Sequence, residues 1–470
     1  MATGAFEREL MRRSPLAACV LEVGDYVFDE AMLASVWDGN RGRCYEDVPG
    51  FAEFLRLTRD ALLRHGGSAH ALFVELGRRE GAPVDESNFY RKLSRTPAAV
   101  SRALLREGAA RLAGLMPEGL TTGGAGAVEL PRCFDGFEVV AADGKKVKDA
   151  AKRLVPARGL RGKLLGAAAL VALDVRRGLA VAMSESLDGM ANEVPLVPAL
   201  MEQLRGSVYP TRPVLTVWDR QFDDPRTLRR LSEREGDAFV VRLKQKHMRF
   251  GAESAAHSHD ARGRAVLDEA GVLGRGKGAV RVRRVTLDRS AEGEADVVLL
   301  TGLLDRDAFP AADLLALYRC RWGIEQVFQQ VTETFSLGHL IGSSPKAAVF
   351  QLAYCLLLYD LVQLVKAYVA EDGKVLASAV STYYLFGDVR RELVAWAYHT
   401  DGTWPRTRRD ADQMRRRLRE LLRGSWDPVA YTKAADKKPR KKKPPPKRLH
   451  GGYSSVQRVI EGRAKVVEAK

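Results

Sequence analysis

Cysteine is sparse and scattered. Cys19, Cys44, Cys133, Cys320 and Cys355 never form a CxxC pair, which argues against a disulfide framework or a structural zinc site and suits a reducing cytosol. The eight histidines are equally dispersed. His257, His259 and Asp260 make an HxHD in a polar stretch, but no cysteine and no second ligand pair accompanies them at zinc spacing, so a solvated loop is expected there. The opening MATGAFERELMRRSP is charged throughout and the apolar run after it is short, so secretion is not expected. A clean membrane-spanning run is missing too. Ala347 to Val365 comes nearest, but Gln351, Asp360 and Gln363 interrupt it and would sit unpaired in lipid. This stretch is read as a buried helix.

What the chain has in excess is positive charge. The net value is +16 over 470 residues, which points to an anionic partner. Nine basic residues and one acidic lie between Lys433 and Arg448, and eight basic and three acidic between Arg406 and Arg423. Phosphate contacts are therefore expected in the C-terminal region, with Lys441, Lys442 and Lys443 at the centre of the densest run. A solubilising tail would have the same composition.

A hydrophobic share of 46% in a chain of this length allows a sizeable core and two to four folding units. Residues 1–130 carry apolar residues at three- and four-residue spacing, as in FAEFLRLTRDALLRHG, and are expected to be all helical. Within them SNFYRKLSRTPAAVSRALL breaks at Pro97, which suits a helix-turn-helix DNA reader or an ordinary helical pair equally. From 131 to 244 the runs FEVVAAD, GAAALVALDV, AVAMSES, PVLTVWD and AFVVRLK alternate late with helical segments, which predicts a mixed α/β sheet. Residues 245–310 turn β-rich without helices and are taken as an all-β insertion; GVLGRGKG inside it is not a dinucleotide fingerprint, because no strand-to-helix crossover follows. Helix returns over 311–400, and 401–470 reads as a basic region ending in an extended or disordered tail.

Three carboxylates stand out by placement. Asp143 closes VVAAD and Asp219 closes PVLTVWD, strand ends of the kind that line crevices in open α/β sheets. Glu325 lies in LYRCRWGIEQVFQQV, where Tyr318, Arg321 and Glu325 recur at three and four residues and share a helix face. Two aspartates and a glutamate of this kind could hold a pair of Mg²⁺ ions about 4 Å apart, with Mn²⁺ in their place, for phosphodiester chemistry. Arg321 supplies a fork that matches phosphate oxygens. Trp322 is either a platform for an unstacked base or a core residue.

These residues resemble the bacterial DDE transposases of the insertion-sequence-four family. The family's glutamate helix carries Tyr, two residues, Arg, three residues, Glu, six residues, Lys. Here Tyr318, Arg321 and Glu325 match and Thr332 stands at the lysine position. AADGKKV and VWDRQF are similar to the two aspartate strands, and the similarity covers most of residues 25–345. The resemblance implies an RNase H-like core interrupted by a β-rich insertion. It further implies a DNA-bound homodimer, acting in the nucleoid of the cytoplasm, that cleaves the ends of a mobile element with Mg²⁺ and joins them to double-stranded target DNA, often through a hairpin. Asp143, Asp219 and Glu325 become catalytic metal ligands; Tyr318, Arg321, Trp322 and Arg220 become DNA contacts; and Glu193 is a supporting acid near the metals. A nuclease with the same core but no strand joining, and a DNA-binding derivative without catalysis, are the alternatives.

Overall fold

The computed structural model describes residues 5–45, 48–79, 84–117, 130–160, 162–244, 249–260, 262–335, 337–400, 409–432 and 452–463. Seven helices come first: α1 (Ala5–Arg13), α2 (Pro15–Val27), α3 (Glu30–Asn40), α4 (Phe51–Leu63), α5 (Ala69–Arg79), α6 (Glu86–Arg95) and α7 (Ala98–Leu115). Local chemistry starts several of them. Asp29 caps α3 by accepting from the Met32 amide at 2.8 Å, and Pro97 ends α6 and opens α7. α7 leaves only Ala110 and Gly114 fully exposed, with Arg102, Arg106 and Arg111 partly exposed. It is an ordinary packed helix.

The strands follow: β1 (Glu138–Val147), β2 (Lys163–Leu165), β3 (Ala167–Asp174), β4 (Leu179–Ser186), then α8 (Val197–Gln203), β5 (Val214–Trp218), α9 (Pro225–Leu231) and β6 (Ala238–Arg242). Next come β7 (Phe250–His259), β8 (Ala265–Leu273), β9 (Val280–Leu287) and β10 (Val297–Thr301). All but β2 join one sheet of nine strands in the order β4-β3-β1-β5-β6-β10-β9-β8-β7. β3 runs antiparallel to β1 and β4 antiparallel to β3, whereas β5 and β6 run parallel to β1. The β-rich segment expected as an insertion thus extends this same sheet: β10 returns to pair antiparallel with β6. His257 and His259, expected in a loop, are exposed on edge strand β7, and Asp260 is taken up by Arg264 at 2.6 Å.

The rest of the chain is helical: α10 (Ala311–Arg319), α11 (Trp322–Glu333), α12 (Pro345–Asp372), α13 (Thr382–Thr400), α14 (Ala411–Leu421) and α15 (Pro428–Tyr431). Among the described residues α12 alone is long and apolar enough to cross a membrane, and its apolar window is wholly buried in the protein. The polar residues that interrupt it find partners there. Asp360 accepts from the Ala180 amide of β4 at 2.8 Å, and Gln351 accepts from Ile341 at 2.8 Å. Gln351 is thereby satisfied, whereas Asp360 keeps its Oδ2 buried without a partner among the described residues. α12 packs on β1, β3, β4 and α7, while α11 lies across β1 and β3.

The end of the chain is not simply an extended tail. β11 (Tyr453–Ser455) pairs parallel with β2 and runs into α16 (Val456–Ile460), whose Val456 and Val459 are buried. Arg458 holds Asp188 at 2.7 Å. The basic run with Lys441, Lys442 and Lys443 lies outside the described residues.

Candidate active site at the carboxyl ends of β1 and β5

β1 and β5 run parallel in register, and their last pair is Ala142 with Trp218. The next residues are Asp143 and Asp219, so the two carboxylates leave the sheet side by side. Only one of them ends its strand. β1 continues beyond Asp143 to Val147 because β3 goes on pairing with it, Asp143 opposite Val171, whereas after Asp219 the chain turns into a short 3₁₀ segment over Arg220–Phe222. Phe222 packs at a tilt against Trp218 with ring centroids 4.8 Å apart and fixes that turn.

The glutamate arrives from α11, though not on one continuous helix. The helix breaks between Arg319 and Trp322, where amides bond three residues back: Cys320 to Leu317, Arg321 to Tyr318, Gly323 to Cys320 and Ile324 to Arg321. A 3₁₀ turn has three residues per turn, so Tyr318 and Arg321 still lie over one another, and α-helical spacing then takes Arg321 to Glu325. Arg321 is the hub. It donates to Asp143 Oδ2 at 3.3 Å and to Glu325 Oε1 at 2.6 Å, with its own side chain only 7% exposed. Among the described residues its Nε and the hydroxyl of Tyr318 are buried without a regular hydrogen-bond partner, and the two side chains interact with one another. Burial pushes the Asp143 carboxyl up to about 6, and the nearby charges of Asp219 and Glu325 push the same way, against Arg321 and the Gly144 amide.

Among the described residues no three acidic, histidine or cysteine side chains form a ready cage for a cation. The reason is visible: a guanidinium stands between Asp143 and Glu325. The donor set nevertheless fits a hard divalent cation, since it consists of carboxylate oxygens that already share one buried positive charge.

Around this focus the other expected residues divide. Trp322 is 58% exposed, which removes the core reading, and the Arg321 guanidinium sits 5.7 Å from the centroid of its ring. Arg220 is exposed beside Asp219. Glu193 lies directly over Gly144: a Cβ there would stand 2.6 Å from its Cδ, so only glycine permits the approach. Gln221 holds Glu193 at 3.0 Å. A fourth carboxylate therefore packs against β1 at Gly144, on the face opposite the Asp143 side chain. Sequence reasoning missed Lys145 altogether. Its amine donates to Thr332 Oγ1 at 2.7 Å and to the Phe328 carbonyl at 3.3 Å, and burial with Lys148 nearby pulls it down to about 8. Only a contact between β1 and α11 could have revealed it.

All three carboxylates fall in one segment that comparison with known families picks out. Residues 132–361 match the family model of the transposase DDE domain. No curated protein matches the chain. Among solved structures, a cryo-EM structure of the piggyBac transposase synaptic complex with hairpin DNA aligns with a TM-score of 0.40 at 11% identity, covering 87% of this chain and 85% of that one. At that distance no residue role is transferred. The matched segment runs from the turn before β1 into the middle of α12, so it includes β7 to β10 as well as the carboxylate strands.

Proposed function

We propose that this chain is a DNA transposase of the insertion-sequence-four type, in which Asp143, Asp219 and Glu325 bind two Mg²⁺ ions, or Mn²⁺ in their place. The observation that carries this reading is the convergence of Asp143 and Glu325 on Arg321, beside Asp219, inside the matched transposase domain. The strand order β4-β3-β1-β5-β6, three antiparallel strands followed by two parallel ones, supports an RNase H-like core. Bound metal would activate the attacking oxygen and stabilise the leaving oxygen of a phosphodiester.

The protein's own groups position the DNA. The Tyr318 hydroxyl and Arg321 Nε, which make no regular hydrogen bond among the described residues, are donors that a phosphate oxygen would satisfy. Exposed Arg220 faces the strand approaching Asp219, and exposed Trp322 offers a surface on which an unpaired base stacks. Glu193, held by Gln221, packs against the strand at Gly144 and so supports the backbone next to Asp143. Lys441, Lys442 and Lys443 add phosphate contacts by charge. In this reading a DNA-bound homodimer in the cytoplasm cuts at terminal repeats and joins the ends to target DNA.

The test is to incubate the full chain with linear DNA carrying the sequences that flank its gene, plus Mg²⁺ and a target plasmid. Nicks at the repeat boundary followed by joined products support the reading. Cleavage without joining would favour a nuclease, and no cleavage in either Mg²⁺ or Mn²⁺ would remove the reading.

A further inference from the structure

We propose that Lys145 is a binding residue for a backbone phosphate of the DNA strand being cut, supplied from β1 to a site otherwise built on α11. This rests on the transposase reading and deepens it.

Alternation along β1 puts Asp143 and Lys145 on the same face of the sheet. α11 crosses that face, and the Lys145 ammonium ends on it, against Thr332 Oγ1 at 2.7 Å and the Phe328 carbonyl at 3.3 Å, with the Phe328 ring centroid 5.4 Å away. Both oxygens are neutral. Among the described residues no carboxylate pairs with Lys145, although this chain pairs most of its half-buried arginines with acids, as Arg177 with Asp174 and Arg205 with Asp237. A half-buried cation with no counter-ion is unfavourable unless something else supplies the negative charge. An ammonium has three donors and two are used, so one remains for an outside acceptor.

Position makes that acceptor a phosphate. Thr332 lies seven residues beyond Glu325 on α11, two turns along the same face, or about 10 Å. A duplex strand presents a phosphate every ~3.4 Å along its axis. Lys145 therefore stands within reach of a neighbouring phosphate of the strand held at the carboxylates, while the Arg321 Nη groups are engaged with Asp143 and Glu325. Thr332 merely holds the amine in place, and its own hydroxyl donates to the Phe328 carbonyl at 2.6 Å.

The experiment compares the wild type, Lys145→Met, Lys145→Arg and the exchange Lys145→Thr/Thr332→Lys, all as full chains on duplex DNA with the gene's flanking ends. Binding is measured from low to high salt, and kcat and KM for cleavage are measured in Mg²⁺. We expect Lys145→Met to bind about tenfold more weakly and to lower the slope of log K against log salt by about one. Lys145→Arg and the exchange should restore both, since each returns a cation to the same spot. A brace between β1 and α11 would change the melting temperature and leave the salt slope alone. An unchanged slope and affinity in a folded Lys145→Met, with wild type cleaving normally, would overturn the assignment. Failure of the wild type to cleave would instead overturn the transposase reading beneath it.

Discussion

Arg321 behaves as a resident cation between Asp143 and Glu325, which leads to an unusual expectation for Arg321→Met. Methionine keeps most of the buried stem and removes the charge. The arginine makes two charge-assisted hydrogen bonds, at 2.6 Å and 3.3 Å, each worth about 1.5–3 kcal/mol when well formed. The longer one is weak, and Glu325 is 37% exposed and partly screened, so roughly 3 kcal/mol in all is lost from the metal-free state. A cation that replaces the guanidinium no longer competes with it. At about 1.4 kcal/mol per decade, Mg²⁺ should bind Arg321→Met roughly a hundredfold more tightly than wild type, while DNA cleavage falls. The titration belongs at pH 8.5, because Asp143 is already raised to about 6 with Arg321 present and a retained proton would take the arginine's place as competitor. Calorimetric Mg²⁺ titration reads the affinity, and the rise in melting temperature with Mg²⁺ checks it through linkage. Equal or weaker Mg²⁺ binding by the variant would refute the competition.

Other expectations follow from single contacts. Trp322 is 58% exposed, so Trp322→Ala should leave unfolding free energy within about 0.5 kcal/mol yet weaken binding to single-stranded DNA ends by about 1–3 kcal/mol; equal binding would return Trp322 to a mere surface residue. Glu185, buried on β4 against Arg102 at 3.2 Å, is raised by burial from 4.5 to about 7. The folded protein thus holds a proton that the unfolded chain has lost, so this contribution to stability is complete below pH 4.5 and fades as pH rises through 7. Glu185→Gln should flatten that slope and gain about 1–3 kcal/mol at pH 8 by urea unfolding; a less stable variant at pH 8 would show that the ion pair outweighs burial. Gly108 lets α7 approach α12, where an added Cβ would stand 2.5 Å from Leu357 Cδ2. Gly108→Ala should therefore lose about 1–2 kcal/mol through overpacking, whereas helix propensity alone would add about 1 kcal/mol, so the sign of the change decides.

Much of this architecture was legible in local sequence, and the exceptions share a cause. The runs ending in Asp143 and Asp219 are apolar and β-branched, so their strands could be read directly. That β1 continues past Asp143 could not, because the polar GKK is held extended by pairing with β3. The spacing of Tyr318, Arg321 and Glu325 signalled a shared face, and the face exists, but the 3₁₀ break at Cys320 and Arg321 has no proline to announce it. The segment after Lys244 reads as strands of an insertion, but that they extend the core sheet could not be read, since joining β10 to β6 depends on pairing between distant residues. His257 and His259 looked like loop because β7 is an edge strand with few apolar residues. Lys145 and the docking of β11 on β2 are tertiary contacts between segments far apart in the chain, which no periodicity encodes.

The central claim is that Asp143, Asp219 and Glu325 act together on DNA. Its most direct measurement is Mg²⁺-dependent cleavage of the gene's flanking ends by Asp143→Ala, Asp219→Ala and Glu325→Ala in parallel, with end binding measured in the same samples. The account predicts that each substitution abolishes cleavage and leaves binding largely intact. Full cleavage by any one of the three would contradict it.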